Sequence, residues 1–324
     1  MRFFHIFNVP DPSEDSMRVI FENIIREFLS ANHFADSVRK SGNIAVNATI
    51  EMYTQITKGL LPIPAKFHYT FNLRDVAKVF QGVLMTKTVS VGSPDVFAEL
   101  WVHECSRVFC DRLINEDDRN FFREIVTDLI KTKFQTKNVK TEELFEGKNQ
   151  IIFSSALRLD QEEKLYEKIL DKAKLFKTLE DKLTDYNLSN SSKMDLVFFD
   201  DAINHVSRIL RILSQPRGNA MLIGVSGCGK QSLTRLSAFM LEYKCYQIKL
   251  SKNYRPANFR DDLKSQMLNS GCDAVPTTFL MTDTQIMHEG FLEDINNILN
   301  TGEITGLYQP EDFERMKGSL EKVL

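Results

Sequence analysis

The fold of this chain is decided by the stretch Ala220-Met221-Leu222-Ile223-Gly224-Val225-Ser226-Gly227-Cys228-Gly229-Lys230-Gln231-Ser232. Gly224, Gly229 and Lys230 complete the pattern Gly-x-x-x-x-Gly-Lys. A loop that wraps a phosphate group must turn its backbone N–H groups inward, which requires glycines, and the lysine then contacts the β- and γ-phosphates. The motif therefore predicts a nucleotide-binding loop, formed by Gly224, Val225, Ser226, Gly227, Cys228, Gly229, Lys230, Gln231 and Ser232.

The residues on either side of the loop fit this interpretation. Residues 220–223 form a short apolar run that is typical of a buried strand. Residues 232–241 carry apolar side chains at Leu233, Leu236 and Met240, which is a helical spacing. A glycine turn without a ligand is the alternative interpretation, and the order of strand, glycine loop and helix favours the nucleotide site over it.

The position after the lysine departs from the motif. A Ser or Thr hydroxyl normally stands there and binds Mg²⁺, whereas this chain has Gln231. An amide oxygen is a poorer and longer ligand. Ser232 lies about 100° further around the helix, so it does not take over the role. The substitution predicts weaker metal binding and slower hydrolysis.

A second departure follows the strand predicted at residues 277–281. ATPases of this kind carry a magnesium-binding acid and a water-positioning acid at the end of such a strand. Here Thr282 and Asp283 stand at those two positions, or Asp283 and Thr284 if the register shifts by one. Asp283 is thus the candidate for both the catalytic acid and the Mg²⁺ contact, with a turn-capping carboxylate as the alternative. The pattern predicts that ATP or ADP binds without efficient turnover.

Composition restricts the class of protein. The chain has 324 residues, enough for about two domains, and a net charge of −3, which argues against a nucleic-acid partner. No apolar run approaches the roughly 20 residues that span a bilayer, so we expect no membrane association. The five cysteines form no Cys-x-x-Cys pair, which predicts reduced thiols and a cytoplasmic location.

Apolar periodicity divides the chain into a helical first part and an α/β second part. The first helix begins at Glu14 after the capping residue Ser13, and its predicted apolar face is Ile20, Phe21, Ile24, Ile25 and Phe28. Later elements are helices at residues 44–58, 72–85, 94–113, 117–132, 162–183 and 196–213, strands at 245–250 and 277–281, and helices at 256–268 and 291–299. Strands that alternate with helices after the loop predict a parallel sheet, with the nucleotide at the strand ends.

Several stretches resemble one family. Residues 222–236 resemble the phosphate loop of the fourth AAA+ module of axonemal dynein heavy chains, in which Gln commonly follows the lysine and Thr-Asp commonly replaces Asp-Glu. Residues 290–303 are similar to the segment that follows in that family. Residues 71–84 and 101–113 resemble two lid helices of the third AAA+ module. The resemblance covers nearly the whole chain.

The resemblance implies a fold, domain limits and further site residues. The implied fold is α/β, with a helical lid region followed by an incomplete P-loop AAA+ core that contains a parallel sheet. Arg74 matches the lid arginine that reaches the nucleotide of its own module. Arg2 lies where an arginine finger is expected, although His5-Ile6 departs from the family pattern. The implied lid region, connecting segment and core correspond to residues 1–135, 136–195 and 196–324.

The same resemblance implies a cellular role. Members of the family are ATP-driven, microtubule minus-end-directed motors of cilia and flagella, in the cytoplasm, the cytoskeleton and the axoneme. The implied partners are neighbouring AAA+ modules of the same heavy chain, dynein intermediate and light chains, and microtubules through regions outside this chain. Nucleic acids and membranes are not among the implied partners.

Three functions remain open on the sequence alone. The first is a regulatory ATP/ADP site with weak or no hydrolysis. The second is a structural ring segment whose loop is empty or holds ADP permanently. The third is an independent P-loop ATPase or kinase, which requires a complete acid pair and a phosphoacceptor site, and the sequence displays neither.

Overall fold

The structure is a computed structural model that describes residues 3, 5–10, 12–136, 139, 144–145, 150–159 and 164–321. The chain divides into two compact units, residues 1–170 and 171–324. The domain limits that the resemblance implies stay a prediction. Within the described ranges, no helix combines the length and the apolar character that crossing a lipid bilayer requires.

The first unit is mainly helical. Two of its helices begin at the predicted capping residues, because the Ser13 hydroxyl accepts from the Ser16 N–H at 3.2 Å and Asn72 Oδ1 accepts from the Arg74 N–H at 2.9 Å. π-helical turns at Ser106–Cys110 and Ile130–Phe134 follow the last two helices. The α-helices described in this unit are α1 (Glu14–Ala31), α2 (Asp36–Gly59), α3 (Leu73–Val83), α4 (Pro94–Cys105) and α5 (Glu116–Leu129).

The core of the first unit surrounds Trp101. Trp101 and Thr49 are both 0% exposed. The indole Nε1 of Trp101 donates to Thr49 Oγ1 at 2.8 Å, and that hydroxyl donates to the Ala45 carbonyl at 2.7 Å. These bonds satisfy the buried polar atoms and tie α4 to α2.

The apolar face of α1 differs from the predicted one. Ile20 and Ile24 are 45% and 43% exposed. Gly42 of α2 sets the approach of the two helices, because a Cβ there would lie 2.7 Å from the Ile25 side chain. The sequence offers two adjacent apolar rows. α2 packs on the row that consists of Met17, Phe21, Ile25 and Leu29, and Phe80 of α3 stacks on the Phe21 ring.

A short hairpin replaces the first part of the helix predicted at residues 162–183. β1 (Phe153–Ser154) pairs antiparallel with β2 (Glu167–Lys168). The helix α6 (Lys172–Ser189) begins only after Asp171, whose Oδ1 accepts from the N–H groups of Ala173 and Lys174 at 2.9 and 3.2 Å. Strand pairing and this N-cap together set the later start.

The second unit has the predicted α/β pattern. Its strands β3 (Lys244–Tyr246) and β4 (Thr277–Phe279) are parallel, with Cys245 beside Thr278. The rings of Phe259 and Phe291 stack with centroids 4.2 Å apart between helices that flank β4 in the sequence. After α6, the helices are α7 (Asp200–Leu213), α8 (Lys230–Met240), α9 (Pro256–Cys272), α10 (Glu289–Asn300) and α11 (Pro310–Leu320).

The prediction of a buried strand at residues 220–223 is wrong. Met221 and Ile223 are 85% and 86% exposed. Among the residues that the structure describes, the second unit has one sheet, and it consists of β3 and β4 alone. An apolar run is buried in a parallel sheet only when strands lie on both sides and helices cover both faces. No described strand lies beside residues 220–223, so they stay extended and exposed.

Candidate nucleotide-binding site

Two glycines of the predicted phosphate loop have the left-handed backbone conformation for which the motif uses glycine. Gly227 and Gly229 have φ angles of 84° and 79°, in the left-handed region that glycine tolerates. Gly229 is the N-cap of α8, and its carbonyl accepts from the Leu233 N–H at 2.8 Å. The loop therefore leads directly into a helix N-terminus, where free N–H groups and the helix dipole favour an anion.

Lys230 places its ammonium group within the loop. Its Nζ donates to the carbonyls of Gly224 and Val225 at 2.5 and 2.7 Å, and it lies 3.5 Å from Cys228 Sγ. Lys230 is the first residue of α8, so the side chain connects the helix to the extended segment before it. The lysine, the glycines and the helix N-terminus are thus together, as the sequence predicts.

Gln231 contacts a neighbouring side chain that the sequence analysis missed. Arg235 lies one helical turn further along α8, and its Nη2 donates to Gln231 Oε1 at 3.4 Å. The same Nη2 donates to Gln247 Oε1 at 2.5 Å, immediately after β3. The i, i+4 spacing of Gln231 and Arg235 is the sequence signal that predicts the first of these contacts.

The segment after β4 carries Asp283 and is held by Gln285. Gln285 is buried, its Nε2 donates to the Ile248 carbonyl at 2.8 Å, and its Oε1 accepts from the Thr282 N–H at 2.9 Å. The Leu280 N–H also donates to the Tyr246 carbonyl at 2.8 Å, which continues the pairing with β3. Gln285 thus fixes this segment, and the Thr-x-x-Gln spacing from Thr282 to Gln285 was its signal.

Asp283 begins a short 3-10 turn, Asp283–Gln285, and its side chain is exposed. The neighbouring Thr282 does not supply a second acid, and its hydroxyl lies 3.0 Å from the Thr284 hydroxyl. Within the part of the chain that the structure describes, no group of three or more His, Cys, Asp or Glu side chains is placed to hold a metal. The catalytic and Mg²⁺ roles of Asp283 stay predictions.

Of the two arginines predicted from the resemblance, the structure describes Arg74, which belongs to the first unit. Arg74 is exposed on the first turn of α3, with its backbone N–H bonded to the capping residue Asn72. Arg2 lies outside the described residues. The sensor role of Arg74 and the finger role of Arg2 therefore stay predictions.

Two side chains of β3, those of Cys245 and Tyr246, keep their protons at physiological pH. Burial raises the pKa of the Cys245 thiol, although the positive charge of Arg235 opposes part of that rise. Burial and a hydrogen bond to Asp262 raise the pKa of Tyr246 to about 12. Neither residue adds negative charge beside Arg235, so the positive character of this edge is preserved.

Two family models match the chain. Residues 194–324 match the P-loop containing dynein motor region D4. Residues 45–147 match the AAA+ lid domain. These matches confirm the predicted fold class, a helical lid followed by an incomplete α/β P-loop AAA+ core.

The chain is also similar to curated dynein heavy chains. It is 42% identical over 318 residues to "Dynein axonemal heavy chain 6" of Homo sapiens, an alignment that covers 98% of this chain and 8% of that protein. It is 41% identical over 330 residues to "Dynein axonemal heavy chain 1" of Homo sapiens, covering 99% and 8%. It is 40% identical over 313 residues to "Dynein-1-beta heavy chain, flagellar inner arm I1 complex" of Chlamydomonas reinhardtii, covering 96% and 7%.

The chain therefore spans less than a tenth of the length of these relatives. The match runs along nearly all of its own length, includes the phosphate loop, and agrees with both family models. The chain belongs to the axonemal dynein heavy chain family and corresponds to the segment that contains an AAA+ lid and the P-loop region D4.

Proposed function

We propose that this segment is a regulatory ATP/ADP site of a dynein heavy chain, with weak or no hydrolysis. The carrying observation is the loop around Lys230, whose glycines, ammonium group and helix N-terminus are together. The positions that hydrolysis requires are altered to Gln231 and to Thr282-Asp283. Binding depends mainly on the first set and turnover on the second, so the site retains nucleotide without efficient chemistry.

Of the predicted cofactors, Mg²⁺ is the one that the oxygen atoms around the site support least. Mg²⁺ requires nearly octahedral oxygen ligands and is usually bound by one or two carboxylates together with substrate phosphates. Gln231 Oε1 accepts from Arg235, and the Thr282 hydroxyl contacts Thr284, which leaves Asp283. These residues do not fit a resident Mg²⁺, so no catalytic step is assigned to the ion.

The role of the whole heavy chain is part of the proposal. The relatives carry the words axonemal and flagellar in their names, which supports a location in the cytoskeleton of a cilium or flagellum. We infer an ATP-driven, microtubule minus-end-directed motor whose intermediate and light chains and microtubule contacts involve other regions. For this segment the direct partners are neighbouring AAA+ modules. Arg74 then acts as the lid sensor toward the nucleotide of its own module, the third. Nucleotide in the loop around Lys230 shifts the conformational equilibrium by its differential affinity for two states.

The second candidate is a structural segment whose loop is empty or holds ADP permanently. It is favoured by the contacts of Lys230, whose ammonium group already has carbonyl partners at Gly224 and Val225. The two functions differ in exchange. A regulatory site exchanges its nucleotide with solution, and a structural one does not.

Titration with fluorescent ATP and ADP analogues tests the proposal. We expect saturable, exchangeable binding to the chain, loss of binding in Lys230→Ala, and negligible phosphate release. Lys317→Ala is the matched control, because it removes the same charge from an exposed position on α11. Equal binding by Lys230→Ala and the parent, or phosphate release at the rate of a competent ATPase, would contradict the proposal. Binding without exchange would support the structural alternative.

A further inference from the structure

We propose that the phosphate loop binds its nucleotide without a divalent cation, with Gln231 as a hydrogen-bond donor to phosphate and Arg235 as the fixed positive charge beside it. This inference rests on the proposed function and specifies its chemistry. The observation that carries it is the hydrogen-bonded series Gln231, Arg235 and Gln247, which runs from the first turn of α8 to the residue that follows β3.

The amide group of Gln231 has its oxygen directed at a cation. Gln231 Oε1 accepts from Arg235 Nη2 at 3.4 Å. A side-chain amide has one acceptor atom and one NH2 group, and no residue in the described ranges accepts from the Nε2 group of Gln231. Those donors match phosphate oxygens and do not match a metal ion. At the position where the motif has a hydroxyl ligand, this chain thus has a donor.

Arg235 is held in place at its other contact. Its Nη2 donates to Gln247 Oε1 at 2.5 Å, and the arginine is half-buried. A guanidinium group keeps its charge at all physiological pH values and is suited to phosphate. The pKa of Cys245, the neighbour on β3, is raised by burial, so no thiolate neutralises that charge. A permanent cation therefore lies one helical turn from Gln231.

The segment after β4, where a phosphate-loop ATPase carries its two acids, has few carboxylates in this chain. Thr282 has no carboxylate, and its hydroxyl lies 3.0 Å from Thr284 Oγ1. Asp283 is exposed at the start of the following turn. A site with fewer carboxylates binds Mg²⁺ more weakly, and it also repels the negative charge of phosphate less. Both sides of the site thus favour a bare nucleotide over its magnesium complex.

The decisive experiment measures the Kd of fluorescent ADP and ATP analogues in excess Mg²⁺ and in excess EDTA. We expect the two Kd values for the parent chain to agree within about threefold. We expect Arg235→Gln to weaken binding in EDTA about tenfold, the effect of one charge-assisted contact. Gln231→Ser restores the hydroxyl and is expected to make binding tighter in Mg²⁺ than in EDTA.

Arg315→Gln is the matched control, since it removes the same charge from a half-exposed position on α11. Gln247→Leu is a second way to release Arg235 and is expected to weaken binding in EDTA as well, should Arg235→Gln fail to fold. Parent binding that is lost in EDTA would overturn this inference and leave the proposed function standing. Unchanged binding in both Arg235→Gln and Gln247→Leu would overturn the role of Arg235. An absence of binding in both buffers would overturn the proposed function as well.

Discussion

Replacing Gln285 with Leu is expected to release the segment that carries Asp283. The side chain keeps a similar size, but it loses both hydrogen bonds. The Ile248 carbonyl and the Thr282 N–H then lack partners, at a position where Gln285 is 7% exposed and Ile248 is 3% exposed. The perturbation therefore tests whether one buried amide holds the end of β4 against β3.

The expected magnitude follows from these two backbone groups. A buried polar group without a partner costs about 1–3 kcal/mol, and the added apolar surface of Leu returns about 1 kcal/mol. Two such groups cost about 2–6 kcal/mol, so after this gain we expect Gln285→Leu to lower the free energy of unfolding of the second unit by about 1–5 kcal/mol.

Urea denaturation followed by far-UV circular dichroism measures the stability, and hydrogen exchange measures the local effect. We expect faster exchange in residues 280–286 and unchanged exchange in α1. Gln266→Leu is the matched control, because Gln266 Oε1 is buried without a hydrogen-bond partner among the described residues, so its loss is expected to be neutral. Equal stability of Gln285→Leu and the parent, with unchanged exchange at residues 280–286, would refute the reasoning.

Three further outcomes are expected. Cys228 is exposed beside Lys230 and should react quickly with a thiol reagent unless nucleotide is bound. Burial raises the pKa of the Cys110 thiol to about 11, so Cys110 should react slowly. Mass spectrometry of the modified peptides measures both rates, and equal rates would contradict the prediction. Folding raises the pKa of Tyr246 from 10 to about 12, so the unfolded chain loses that proton first and the free energy of unfolding should fall as pH rises between these values. Urea titrations from pH 9 to 12 measure this fall. Tyr246→Phe is the control, because it removes the contribution of the phenol. Thr49→Val leaves the Trp101 N–H unpaired and should cost about 1–3 kcal/mol by tryptophan fluorescence, and an unchanged midpoint would contradict it.

The features that the sequence predicted correctly are local ones. The glycine loop, its lysine and α8 are encoded within a few consecutive residues, so a motif suffices to predict them. The starts of α1 and α3 were predictable because Ser13 and Asn72 bond to backbone groups two or three residues away. The parallel pairing of β3 and β4 followed from the alternation of strands and helices.

The features that the sequence did not predict depend on distant residues. Arg235 donates a hydrogen bond to Gln247, 12 residues further along the sequence, and Gln285 donates one to the carbonyl of Ile248, 37 residues earlier. Periodicity within a single element carries no information about such pairs. The choice between the two apolar rows of α1 likewise depended on α2, and Gly42 leaves the room that decided it.

The extended segment at residues 219–225 has a further consequence for the energetics of the loop. After the glycine loop the chain forms the regular helix α8. The segment before the loop forms no regular element, and Met221 and Ile223 in it are mostly exposed to solvent. Fixing the backbone of one residue costs about 1–2 kcal/mol of conformational entropy, so a ligand loses that amount of affinity for each residue of this segment that it must newly immobilise. A neighbour that orders the segment first removes this cost and raises nucleotide affinity. By reciprocity, nucleotide raises the affinity for that neighbour by the same factor.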